Sequence, residues 1–215
     1  NIAQGDCTVL DIPYKCTVMV DSGGSVDEKT EYDVGKRDIF PYLRYENIKT
    51  IDYMFLSHYH KDHADGIVSL LDLVKIKNIF LPDCLKDNEY RVIIEKRAKE
   101  LGIKLHYIKG PQKIKLEDGV EAEILYFDKE ADDDNDKSVV MRLIYDDVSS
   151  LFTGDITKNT EEKILEAGID VSADILKVAH HSSYQSNSLE FLKAVRPEFA
   201  VAMFGEANPY GFPSY

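Results

Sequence analysis

Two hydrophobic rhythms alternate along this chain of 215 residues. Short β-branched or apolar runs with period-two alternation predict strands at Thr8–Leu10, Thr17–Asp21, Tyr53–Ser57, Asn78–Leu81, Leu105–Ile108, Ala122–Phe127, Val139–Tyr145, Ser150–Thr153, Ile175–Ala179 and Phe199–Phe204. Stretches with apolar residues every three or four positions predict helices at Ala64–Val74, Asn88–Leu101, Asn159–Ala167 and Ser188–Val195. Gly102 and Gly168 follow helical stretches where a left-handed residue closes the last turn. Asn187, with Glu190 three residues on, resembles a capping box. Hairpins come first and strand–helix alternation follows, which predicts sheets covered by helices. No repeat, low-complexity linker or composition break interrupts the chain, so residues 1–215 read as a single domain.

Composition narrows the class. Hydrophobic residues make up 44% of the chain, an ordinary share for a globular protein. No apolar run approaches the roughly 20 residues that span a bilayer, so no direct membrane insertion is expected. Asn1-Ile2-Ala3-Gln4-Gly5 runs straight into a strand-like segment, without the pattern of a signal peptide. The chain lacks an initiator methionine, and an excised domain is the expectation. Cys7, Cys16 and Cys84 have no close metal-ligand spacing. With a hairpin across Ile12-Pro13-Tyr14-Lys15, Cys7 faces Val20 and Cys16 faces Asp11, so all three read as small buried hydrophobes.

The net charge of −13 argues against a surface that simply coats nucleic acid. Charge is unevenly placed, however. From Lys75 to Lys115 there are eleven Lys/Arg against five Asp/Glu. Lys96, Arg97 and Lys99 within it are either a solvated helix face or a stripe that tracks a phosphate backbone. Between Asp128 and Asp136 the chain instead carries Asp128, Glu130, Asp132, Asp133, Asp134 and Asp136, which read as a solvated, mobile acidic loop and as an argument against a DNA substrate.

The densest chemistry lies in Phe55-Leu56-Ser57-His58-Tyr59-His60-Lys61-Asp62-His63-Ala64-Asp65-Gly66. An apolar strand ends in three histidines and two aspartates. His58 and His60, two residues apart on extended chain, point the same way and can share one metal. Asp62 and His63 fall in the turn entering the next helix, where they can hold a second ion. Imidazole with carboxylate suits zinc, manganese or iron rather than calcium.

H-x-H-x-D-H after an apolar strand resembles the signature of the metallo-β-lactamase superfamily. Asp21-Ser22-Gly23-Gly24, Phe152-Thr153-Gly154-Asp155 and Ile175-Leu176-Lys177-Val178-Ala179-His180-His181-Ser182-Ser183 follow in that superfamily's order. Gln4-Gly5-Asp6-Cys7, Asp33-Val34-Gly35, Phe40-Pro41-Tyr42-Leu43-Arg44, Asn135-Asp136-Lys137-Ser138-Val139-Val140 and Asn208-Pro209-Tyr210-Gly211-Phe212-Pro213 are similar to the extracytoplasmic domain of ComEC-type DNA-uptake proteins.

The resemblance implies an α/β fold, a four-layer αββα sandwich, here lacking its C-terminal end. It implies two divalent ions, zinc first and manganese as the alternative. His58, His60, Asp62, His63, Asp155 and His180 are the implied ligands, with Asp155 bridging the ions and a hydroxide held between them. Asp62, Asp155 and His181 are implied as catalytic, His181 contacting the phosphate or acting as the acid. Asp21, Asp65 and Asn135 are implied as braces behind the ligands, and Lys177, Ser182 and Ser183 as substrate contacts, although a solvated lysine and a plain serine turn explain the last three equally. The implied substrate is DNA, most plausibly single-stranded, and the implied context a parent membrane protein that displays the domain outside the cytoplasm. Without that context the expectation is a cytoplasmic stand-alone hydrolase of a small phosphoester, lactone or thioester, or a silent binding domain of the same fold. Two departures stand out. Asp134 or Asn135 occupies the place where most superfamily members carry a histidine, and His106, well upstream, reads as a packed or surface residue. Phe212 stands where the family commonly has histidine.

Overall fold

The computed structural model describes residues 2, 4–24, 32–206 and 208–214. The chain forms two compact units, 1–107 and 108–215.

The first unit is built on a five-stranded sheet in the order β1-β2-β3-β4-β5, made of Thr8–Ile12, Cys16–Val20, Thr50–Phe55, Lys75–Pro82 and Lys104–Ile108. β1 pairs antiparallel with β2, whereas β2–β3 and β3–β4 are parallel. A π-type turn over Gly35–Ile39 runs into α1 (Phe40–Tyr45), and α2 (Lys61–Leu73) and α3 (Glu89–Leu101) complete the unit. Val18, Met19, Ile51, Met54, Ile67, Leu70, Ile79 and Ile94 are fully buried, so strand and helix share one apolar core. α3 opens on Asn88, whose Oδ1 accepts from the Tyr90 and Arg91 amides, and closes on Gly102 at φ 70°.

The first hairpin differs from the expected register by one residue. Lys15 N donates to Ile12 O at 3.0 Å and Tyr14 takes φ 61°, so the turn closes over three residues and Cys16 opposes Ile12. Thr8, not Cys7, faces Val20. The cysteines are free all the same; Cys16 and Cys84 are buried and Cys7 is half-buried.

The second unit carries a six-stranded sheet in the order β11-β10-β9-β8-β7-β6. Its strands are β6 (Gln112–Glu117), β7 (Val120–Tyr126), β8 (Val140–Tyr145), β9 (Val148–Phe152), β10 (Ile175–Lys177) and β11 (Phe199–Val201). β6 to β9 form an antiparallel meander, and β9, β10 and β11 run parallel. α4 (Lys158–Glu166) and α5 (Leu189–Val195) cover it through Ile164, Phe191 and Val195, packed with Val140, Leu151 and Leu176.

Two elements escaped the periodicity argument. β6 reads Gln-Lys-Ile-Lys-Leu-Glu, a lysine-studded edge strand whose polar residues suppress the apolar signal and discourage edge-to-edge pairing. The 35–45 helical stretch contains Pro41, tolerated because it falls in the first turn of α1. The acidic run also differs from a solvated, mobile loop. Asp136 is buried and accepts from Thr157 N (2.8 Å) and Thr157 Oγ1 (3.0 Å), Lys137 pairs with Asp134 at 2.6 Å, and Lys163 pairs with Asp128 at 3.6 Å.

What positions the loop after β2 is close approach of backbone to backbone. A Cβ on Gly66 would sit 1.9 Å from Ser22 O, and one on Gly24 would sit 1.9 Å from Lys61 O. Only hydrogen fits there. Gly66→Ala is therefore expected to destabilise the protein by about 3 kcal/mol, the upper end for overpacking, although alanine is the better helix former. Urea unfolding measures it; a variant within 0.5 kcal/mol of wild type, roughly the spread of neutral surface changes, contradicts the reading.

Candidate metal centre

β3 ends at Phe55, and Leu56 N still bonds Phe80 O at 3.0 Å before the chain turns through Ser57–His60 into α2. His60 is the N-cap of α2, its carbonyl accepting from His63 N and Ala64 N. The His58 and His60 rings lie 4.7 Å apart, and those of His58 and His63 4.2 Å apart. His58 and His63 are buried, while His60 and Asp62 are half-buried. Ligand atoms of Asp62 and His63 lie within 4.8 Å of each other. The four residues singled out by sequence thus form one imidazole-rich corner of the first unit.

Behind that corner lies Asp21, 3% exposed and held at φ 57°. Its Oδ1 accepts from Ser57 N at 2.7 Å. Its Oδ2 accepts from Ser57 Oγ at 2.8 Å and from His63 Nδ1 at 2.9 Å. Because a carboxylate only accepts, His63 carries its proton on Nδ1 and the lone pair on Nε2. Ser57 Oγ, spending its proton on Asp21, accepts from His58 Nδ1 at 3.0 Å, which fixes the same tautomer in His58. One carboxylate orients two imidazoles, one directly and one through a hydroxyl. Ser57 had no part in the sequence argument; a polar residue closing an apolar strand just before His-x-His was the available signal.

Ser22 fastens the loop to α2. Its N and Oγ donate to His63 O at 2.7 and 2.9 Å, and its Oγ accepts from Ile67 N at 2.9 Å. Asp6 N donates to Asp62 O at 2.9 Å, and Asp6 Oδ2 lies 3.9 Å from His63 Nδ1. Burial first, and then the charges of Asp21 and Asp6, push the Cys7 thiol far above its usual range, so it offers no thiolate. Asp65, expected as a brace, accepts from the Tyr90 hydroxyl at 3.4 Å, and burial raises its carboxyl despite the opposing charge of Lys61. His106, an exposed residue of β5, stacks on Phe80 at 4.5 Å and meets Asn78 Oδ1 at 3.2 Å.

In the second unit, β9 delivers Thr153-Gly154-Asp155 and β10 delivers Val178–Ser183. Thr153 Oγ1 donates to Lys177 O at 3.3 Å and His180 N to Gly154 O at 3.2 Å, lashing the two strand ends together. Asp155, 2% exposed, receives its backbone anchor from Ser138, whose Oγ accepts from Asp155 N at 3.0 Å. His180, His181 and Ser182 take φ 49°, 51° and 66°, three consecutive left-handed residues.

The two histidines of that run have different surroundings. His181 is 2% exposed, its Nδ1 donates to Met203 O at 2.9 Å, and its Nε2 lies 3.6 Å from Asp155 Oδ2. His180 is more open and its Nε2 lies 4.0 Å from the same oxygen. A histidine that hands Nδ1–H to a carbonyl and presents Nε2 is prepared as a ligand. Sequence reasoning gave the ligand role to His180; His181 is the one bonded to a carbonyl through Nδ1, with Nε2 the nearer to Asp155. A backbone carbonyl such as that of Met203 has no sequence signal.

Phe212 lies beside both histidines, its ring 6.0 Å from His180 and 6.1 Å from His181, with Tyr210 stacked on it at 5.5 Å. Asn208 closes that loop, accepting from Tyr210 N and Phe212 N and donating to Gly205 O and Phe212 O. Of the residues expected at substrate, Lys177 and Ser183 are buried and Ser182 is half-buried. Ser183 Oγ accepts from Gln185 N at 3.2 Å, and Ser182 O from Ser214 N at 2.9 Å. Asn135 opens a 3₁₀ turn, bonding through its backbone to Asp133 Oδ1 and Ser138 N.

Two arginines of the basic segment are paired. Arg91 is buried against Asp83, Glu95 and Cys84 O, and Arg97 pairs with Asp72 and Glu100. Among the described residues no helix is long and apolar enough to cross a membrane.

Comparison with known proteins bears on the family. The chain is 27% identical over 225 residues to ComE operon protein 3 of Bacillus subtilis, covering 99% of this chain and 29% of that protein. It is 29% identical over 177 residues to competence protein ComA of Neisseria gonorrhoeae, covering 82% and 23%. It therefore spans between a quarter and a third of the length of the first and under a quarter of the second. Among solved structures, the metallo-beta-lactamase fold protein YhfI from Bacillus subtilis superposes with TM-score 0.57 at 16% identity, covering 92% of this chain and 80% of that one. A diphosphatase of the PhnP family superposes with TM-score 0.54 at 16% identity, covering 90% and 70%. The family model of the metallo-beta-lactamase superfamily matches residues 2–206. The two sheets flanked by helices, the braced histidines and that match lead to one assignment: the chain belongs to the metallo-beta-lactamase superfamily.

Proposed function

We propose that this chain is a metal-dependent phosphodiesterase, the hydrolytic part of a DNA-uptake protein, acting on single-stranded DNA outside the cytoplasm. The observation that carries the hydrolytic part is the orientation of the imidazoles. His63 gives Nδ1–H to Asp21, His58 to Ser57 and His181 to Met203 O, so each presents Nε2. Metal-bound histidines are oriented by such partners, and the donor set fits two divalent ions. In the first unit His58, His60, Asp62 and His63 would hold metal, and in the second unit Asp155 and His181 would do so. Divalent ions bound by such ligands supply Lewis acidity and lower the pKa of bound water.

The chain's own groups do the remainder. Asp21 holds two imidazoles in one tautomer, so no reorganisation is needed when substrate arrives. His180, more open than His181, is the imidazole placed to contact a phosphate oxygen or pass a proton to the leaving group. Phe212, where the family commonly has histidine, cannot do so. The similarity to competence proteins supports DNA as substrate. A second reading, a small phosphoester as substrate, is favoured by the pairing of Arg91 and Arg97, which leaves Lys96 and Lys99 as the cations that α3 offers to a phosphate backbone.

Three measurements test this. Metal analysis after dialysis against zinc or manganese should give two ions per chain, falling to one in Asp62→Ala and in His58→Ala; a wild-type stoichiometry near zero refutes the metal reading. Asp155→Asn should cut turnover of bis-(p-nitrophenyl) phosphate by about a hundredfold or more, with an unchanged thermal melt. Full turnover in that variant, or in chelator, refutes the mechanism. Finally, Lys96→Glu with Lys99→Glu should weaken cleavage of a single-stranded oligonucleotide at low salt and spare the small ester. Hydrolysis of the small ester with no cleavage of DNA under either metal hands the assignment to the second reading.

A further inference from the structure

The left-handed run His180–Ser182 needs something to hold it, and the structure shows what does. β10 ends at Lys177, and the last sheet bond is Val178 N to Val201 O at 2.9 Å. At Ala179 a side chain replaces the neighbouring strand. Asn187 Oδ1 accepts from Ala179 N at 3.0 Å and Asn187 Nδ2 donates to Ala179 O at 3.0 Å, so one amide satisfies both backbone groups of the residue before His180. Asn187, expected as a helix cap, does not cap α5; Ser188 does, its Oγ accepting from Phe191 N. Asn187 itself has φ 62°, a conformation that asparagine tolerates better than most residues.

Asn187 is held in turn by Glu161 on α4. That carboxylate is fully buried, and its two oxygens accept from the consecutive amides Asn187 N and Ser188 N, the second at 2.8 Å. A buried carboxylate spent on two backbone amides, with no lysine or arginine among those bonds, is an expensive device for merely closing a loop. α4 follows Asp155 by three residues, and its first turn is tied to the same loop through Lys158 N to Gln185 O at 2.8 Å.

We infer that Asn187, fixed by Glu161, is the positioning residue that sets His180 and His181 against Asp155. The inference rests on the metal reading for its consequence, but the orientation of His181 can be observed without metal. Asn187→Ala removes both clamps at Ala179. Glu161→Gln keeps one of the two acceptors and covers the case in which the alanine variant does not fold. Ser188→Ala removes only the cap of α5 and controls for general loosening.

Long-range nitrogen–proton spectra of the histidine rings in metal-free full chain are the first readout. Wild type should show His181 as the Nδ1–H tautomer, as its bond to Met203 O requires; Asn187→Ala should show a tautomer mixture, and Ser188→Ala the wild-type pattern. Zinc affinity, by competition with a chromophoric chelator, is the second. It should fall about 10–100-fold in Asn187→Ala, as for partners behind a metal-bound histidine, and about tenfold or less in Glu161→Gln. An unchanged His181 tautomer together with unchanged zinc affinity in Asn187→Ala overturns the inference, as does Ser188→Ala reproducing the loss at equal thermal stability. If wild type binds neither zinc nor manganese, the metal reading falls while the tautomer comparison still decides the role of Asn187.

Discussion

The carboxylate of Asp21 is the interaction on which the first unit's chemistry rests. Buried ions cost several kcal/mol unless their oxygens are satisfied, and this one receives Ser57 N, Ser57 Oγ and His63 Nδ1. Those donors become available only because the chain leaves β2 in a left-handed turn at residue 21 and passes against α2 through Gly24 and Gly66. Backbone strain, missing side chains and a buried charge are thus parts of one arrangement. Each is unfavourable alone, and together they fix where two imidazoles point.

The second unit solves the same problem with different material. Its histidine is oriented by a peptide carbonyl rather than by a carboxylate, and the strain sits in the histidine loop itself. Negative charge is concentrated at Asp155, whose amide is held by a buried serine. A neutral acceptor behind His181 raises the basicity of the ring less than a carboxylate does. The two units therefore present imidazoles of unequal donor strength.

What was legible in the sequence follows from how each feature is encoded. Apolar strands and amphipathic helices declared themselves through periodicity, and the ligands through residue types that few other roles need in such density. Boundaries were weaker: β10 stops at Lys177 rather than Ala179 because the Asn187 amide takes over the backbone of Ala179. β6 was missed because edge strands carry the polar residues that mask their period. The choice between His180 and His181 could not be read from sequence order, since it turns on a carbonyl and on three backbone torsions. Ser57 was passed over, and Asn187 was read as a helix cap, for a related reason; their roles lie in what they hold, and their residue types are common in turns.

The left-handed run at His180–Ser182 also says something about how this loop can change over generations. A β-carbon in that conformation costs roughly 1–2 kcal/mol per residue relative to the right-handed helix. Glycine and asparagine escape most of that cost, whereas branched residues such as valine bear all of it. At Ser182, replacement by glycine or asparagine lies on a tolerated path, and replacement by valine or isoleucine does not, whatever the new side chain would touch. Drift at these positions is filtered by torsion before it is filtered by chemistry, so a lineage that abandoned the reaction would still keep a narrow alphabet there for as long as it kept the loop.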